Sequence, residues 1–217
     1  DDTADLKWAA RRCVVGAFAH AGQVCISLQR LLVSRKVYEP FKEIFLDTIR
    51  REALAGDPAR EDSMVGPMID AGAAAKVRDW GKEALAGGAT LAWGSLGEGN
   101  VIGPIVLENV SREMKVWSRE VFGPVAVLAP FADFTQALEM ANDTVYGLQG
   151  AVFTNNLAHA WQAFEALEVG GVIVNDSPVF RVDHMPYGGV KDSGLGREGV
   201  RYAVEELTEL RLLALKV

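Results

Sequence analysis

Pro124-Val-Ala-Val-Leu-Ala-Pro130 is apolar from end to end and closed on both sides by proline. A strand wetted on one face alternates polar with apolar side chains. An unbroken apolar run reads instead as a strand buried on both faces, as in the middle of an α/β sheet. Proline cannot donate to a ladder, so the flanking pair bounds the strand.

The pattern repeats on either side of this run. Residues 28–33 and 171–174 are further apolar strands, and 90–93, 105–107 and 150–154 are shorter ones, with a glycine-rich turn over 94–103. Helical spacing separates them. Phe41, Ile44, Phe45, Thr48 and Ile49 recur within 37–54, and Gly56-Asp57-Pro58 stops that helix. Helices are also expected over 6–20, 71–86 (closed by Gly87-Gly88), 134–142, 158–167 and 199–206. Strands separated by helices imply right-handed crossovers. The expected fold class is therefore α/β, three-layer, with a mostly parallel sheet and helices on both faces. Residues 1–206 form this domain. Residues 207–217 stand apart as an end strand without an obvious partner inside the chain, an edge that invites pairing with another subunit.

A chain of 217 residues is long enough for one sizeable domain. Its net charge of −7 argues against a nucleic-acid partner, which needs a basic face. No apolar run is long enough to span a bilayer, and the acidic start Asp1-Asp2 lacks a secretory layout. Two cysteines are too few for a disulfide framework, so a reducing cytoplasm is the simplest setting. The isolated histidines His20, His159 and His184 have no metal-ligand spacing, and no structural metal is expected. The chain opens on a helix without an initiator methionine, and reads as a piece of something longer.

Cys25 lies in Ala21-Gly-Gln-Val-Cys-Ile-Ser27, at the break between the first helix and the first strand. A thiol on such a turn can face a cleft with backbone N–H groups nearby, which suits a nucleophile, although free cysteines are usually small core residues. In Arg119-Glu-Val-Phe-Gly-Pro-Val125, a carboxylate and a ring precede the central strand. Taken alone, these read as a solvated glutamate and a packing phenylalanine. A carboxylate can also accept from ribose hydroxyls and a ring can lie against a nicotinamide; the stretch by itself does not choose. Gly194-Leu-Gly-Arg-Glu-Gly199 fits the G-x-G-x-x-G pattern only on paper, because no buried strand leads into it and the chain ends before the required acid. It reads as a loop before the last helix. Walker loops and nucleophile-elbow serines are absent.

Gly22-Gln-Val-Cys25, Glu120-Val-Phe-Gly-Pro124, Asn142-Asp-Thr-Val-Tyr-Gly-Leu148 and Pro186-Tyr-Gly-Gly-Val-Lys-Asp-Ser-Gly194 follow one another in that order. Together they resemble the catalytic domain of the NAD(P)-dependent aldehyde dehydrogenase superfamily, over essentially the whole chain. The resemblance implies NAD or NADP as cofactor and a small aldehyde as substrate. It implies Cys25 as nucleophile, forming a thiohemiacetal and then a thioester, with its own N–H as half of the oxyanion hole. By the same resemblance Glu120 holds the nicotinamide ribose, Phe122 lies beside the nicotinamide, and the terminal strand serves assembly into a homodimer or homotetramer. The family's general base and second oxyanion donor lie upstream of Asp1, so the chain by itself is expected to be inactive. The loop from Asn175 to Pro186 corresponds to the family's substrate mouth, with Phe180 and Tyr187 as apolar walls. Arg181 there either clasps an anionic substrate or pairs with Asp176 or Asp183. Two other readings stay open: an acylating or phosphorylating semialdehyde dehydrogenase, and a non-catalytic assembly module.

Overall fold

A computed structural model describes residues 1–217. The chain runs through α1 (Leu6–Phe18), β1 (Arg30–Ser34), α2 (Tyr38–Glu52), α3 (Ala71–Ala86), β2 (Thr90–Trp93), β3 (Ile105–Glu108) and α4 (Lys115–Ser118). It continues through β4 (Val125–Phe131), α5 (Phe134–Asn142), β5 (Tyr146–Gly147), β6 (Gln149–Val152), α6 (Leu157–Ala166), β7 (Gly171–Val174), β8 (Val190–Lys191) and α7 (Val200–Glu206). Side-chain oxygens start four of the helices by accepting the first free N–H groups: Asp5 for α1, Asp70 for α3, Asp133 for α5 and Asn156 for α6.

The apolar run between the prolines is the middle of the main sheet. Its strand order is β1-β4-β3-β2, with β4 parallel to both neighbours and β2 antiparallel to β3. Val125, Ala126, Val127 and Leu128 are all buried, which requires cover on both faces; α1, α2, α4 and α5 pack on β1 or β4. The strand passes through Pro130 instead of stopping before it. The β3 pairing ends at Val127, so only β1 remains alongside, and a missing N–H on the open side leaves no orphaned acceptor.

The rest of the expected sheet is split. β6 and β7 form a separate parallel pair, and β5 and β8 a short antiparallel one. β1 pairs only with β4, and β6 only with β7. Between them lies a cleft of about 540 Å³, lined by Leu31, Val33, Leu138, Val152 and Ala163 among others.

One expectation needs correction here. Residues 171–174 were expected to be a buried strand, yet only Ile173 is buried and Val174 is 46% exposed, because β7 has a single neighbour. Residues 208–217 form no strand; they have no regular structure, and Leu210, Leu212, Leu213 and Leu215 stand in solvent. Within the chain these residues pair with no other segment.

Candidate functional site

α1 ends at Phe18, earlier than its alanine-rich sequence suggests. His20, Ala21 and Gly22 then take left-handed backbone angles, φ 54°, 56° and 65°. Consecutive left-handed residues are sterically unfavourable and persist only when the surroundings impose them. At Gly22 the reason is contact: a Cβ there would collide with the Gly123 carbonyl oxygen. The cysteine loop is thus pressed directly onto the stretch that carries Glu120 and Phe122.

Beyond this kink, the Ser27 N–H donates to the Val24 carbonyl at 2.8 Å and closes a turn with Cys25 inside it. Cys25 is exposed, whereas Cys13 is buried in α1. No backbone carbonyl accepts the Cys25 N–H, leaving it available to an outside oxygen. Cys25 and Glu120 both line the same cleft, as do Gln149 and Pro178. Burial pushes Cys13 up to about 12, which makes it a poor nucleophile at neutral pH.

Glu120 is exposed and makes no hydrogen bond or ion pair within the chain. Phe122 is 36% exposed and held at φ 53°. A free carboxylate and an exposed ring on one strap fit a flat-ringed group bearing hydroxyls, the donor and surface that a nicotinamide ribose presents.

The expected substrate loop reaches the cleft only through Pro178. The Tyr187 hydroxyl is pushed up, first by burial and then by the charge of Cys25, with Arg181 opposing, so tyrosine and thiol lie within electrostatic reach of one another. The Arg181 guanidinium sits over the Tyr187 ring, 4.2 Å from its centroid, and reaches Glu198 at 3.3 Å. It pairs with neither expected aspartate, because Asp176 is taken by Arg12 at 2.5 Å. Phe180 is 42% exposed, and its carbonyl accepts from Gln149 Nε2 at 3.3 Å, as does that of Pro178. Of the expected site residues, Phe122, Phe180, Arg181 and Tyr187 do not line the cleft that Cys25 and Glu120 share.

Several residues that hold this arrangement lie in the quoted stretches but are given no role there. Gln23 donates to the carbonyls of His20 and Pro67 and accepts the Ile69 N–H. Asn142 bridges the Ala166 carbonyl and the Glu168 N–H, while Lys191 reaches Glu168 and the carbonyls of Asn142 and Thr144. The quoted Asn142 and Lys191 stretches are therefore one tied corner. Gly194, Gly196 and Gly199 all have positive φ in the loop before α7, the loop role expected of them.

The chain matches the aldehyde dehydrogenase family over residues 1–213. It is 43% identical over 214 residues to the 3-sulfolactaldehyde dehydrogenase of Priestia megaterium, covering 99% of this chain and 45% of that protein. The structure is similar to aldehyde dehydrogenase 21 from Physcomitrella patens in complex with succinate (TM-score 0.89, 46% identity, 92% of this chain and 41% of that one). It is equally similar to the glyceraldehyde-3-phosphate dehydrogenase of Methanocaldococcus jannaschii complexed with NADP (TM-score 0.89, 39% identity, 94% and 44%). The chain thus spans about half the length of the relatives it matches.

Proposed function

The chain belongs to the aldehyde dehydrogenase family, and from that premise we propose that the whole protein oxidises a short anionic aldehyde to its carboxylic acid with NAD(P)+. The observation that carries this reading is the presentation of Cys25: an exposed thiol on a closed turn, with its own N–H unclaimed and the Glu120 carboxylate lining the same cleft. The Cys25 thiolate attacks the aldehyde carbon, and its backbone N–H receives the oxyanion as a thiohemiacetal forms. When bound, NAD(P)+ supplies the hydride acceptor. Glu120 accepts from the ribose hydroxyls, and Phe122 offers its ring to the nicotinamide. Water then releases the acid from the thioester on Cys25. The exposed residues 207–217 and the apolar face of α6 support a role in joining copies of the protein.

An anionic substrate is supported from two directions. Similar proteins are named for a sulfonated or phosphorylated aldehyde, or hold a dicarboxylate product. In this chain Arg181 is anchored on Tyr187, which lies within electrostatic reach of Cys25, while its counter-ion Glu198 is 69% exposed and easily exchanged for a substrate anion. At the relatives' full length, Arg181→Ala should lower kcat/KM for carboxylate-, sulfonate- or phosphate-bearing aldehydes by about tenfold or more and leave propanal unaffected. An unchanged preference would remove the anionic-substrate reading, and activity retained in Cys25→Ala would remove the thioester.

A further inference from the structure

Gln29 is the only uncharged polar side chain between Leu28 and Val33 in an otherwise apolar approach to β1, apart from the flanking Arg30. It is four residues beyond Cys25. Its backbone belongs to the main sheet, where its carbonyl accepts the Val127 N–H at 2.7 Å. The side chain spends its whole amide on one remote segment. Nε2 donates to the Val116 carbonyl at 2.8 Å and to the Arg119 carbonyl at 2.7 Å, and Oε1 accepts the Val121 N–H at 2.9 Å.

Those three groups surround Glu120. Val116 lies in α4, whose last carbonyls have no intrahelical partner, so the two donated bonds close the end of that short helix. The third bond fixes the peptide just after Glu120, and Val121 is buried behind it. With the backbone tied on both sides, Glu120 is left facing the cleft, beside Arg119 and Trp117. Three bonds to one amide favour a single placement of the strap, because sliding would break them together and leave the part-buried Val116 carbonyl and Val121 N–H without that partner.

We propose that Gln29 is a positioning residue for the coenzyme, setting Glu120 and Phe122 against the Cys25 turn from a fixed point in the sheet. The inference rests on the reading of Glu120 as a coenzyme ligand. Gln29 touches no reacting atom; it acts through the strap alone.

The test uses the protein at its relatives' full length and compares Gln29→Met, which keeps the volume and deletes all three bonds, with Glu120→Ala. Coenzyme affinity is read by quenching of tryptophan fluorescence with NAD+ and with NADP+, and the Cys25 turn by its rate of alkylation with iodoacetamide. Gln29→Met should weaken coenzyme binding roughly tenfold, with alkylation and the thermal midpoint close to wild type. A parallel fall in all three readouts would mark a general structural role and overturn the proposal. Normal affinity in Gln29→Met beside weakened affinity in Glu120→Ala would overturn it while leaving Glu120 as the ligand. Normal affinity in both would overturn the coenzyme reading of Glu120 and this proposal with it. Should Gln29→Met not fold, Gln29→Glu retains the acceptor for Val121 and loses both donors; wild-type affinity there would equally overturn the assignment.

Discussion

Around β4 the chain builds a core of 34 buried residues, whereas around β6 and β7 it builds one of three, Leu138, Val152 and Ala163. Both regions contain apolar strands flanked by helices, so composition alone does not separate them. Neighbours do. β4 is paired on both sides and sandwiched between helices. β7 has one ladder partner, and α6 turns Leu157, Trp161 and Phe164 outward at 73%, 58% and 62% exposure. The first region is stable through what this chain contains. The second keeps much apolar area in water, and its burial depends on surfaces outside it.

The sharpest way to break this contrast is to hollow each region in turn. Phe45 is fully buried and packs between Phe18 and Phe41. Phe45→Ala should lower the unfolding free energy of the chain by about 3–5 kcal/mol in urea titrations. A loss near zero would mean that the large core does not govern stability.

Alkali should find the same region. The folded state holds Cys13 protonated up to about 12, against a reference of 9.0; burial is the main cause, Asp176 adds to it, and Arg12 and the N-terminus oppose it. A thiol whose folded pKa is raised contributes stability that is complete below the unfolded value and lost as pH climbs to the folded one. Unfolding free energy should therefore fall between pH 9 and 12, by as much as about 4 kcal/mol. Cys13→Ala should flatten that decline relative to wild type. Tyr38, held neutral by burial and by its bond to Glu108, falls in the same direction at the upper end. The smallest effect belongs to the other region: Trp161→Ala should change the stability of the 217-residue chain by less than about 0.5 kcal/mol. A large loss would show that α6 is already packed in solution.

What could be read from the residues follows the same division. The apolar run before Pro130, the helix over 134–142 and the capped helix over 71–86 depend on local periodicity, and they lie where the pattern put them. The two-residue strands β5 and β8 and the single turn α4 are too short to have a period and were not anticipated. Cys25 could be singled out because a turn and a thiol coincide in adjacent residues. Gln29 could not, since its partners are 87 to 92 positions away and are backbone groups, which leave no trace in residue type. Arg181 was legible as a cation in a loop, but the identity of its counter-ion was decided by folding: Arg12 claims Asp176, and Glu198 arrives from the loop before α7.

The cleft between β1 and β6 leaves two ladders with one unsatisfied side each, facing one another across aliphatic walls. Such a seam is a template for any extended apolar peptide that can bond to both banks at once. The seam thus presents on each bank a row of backbone donors and acceptors that only an added extended segment can pair.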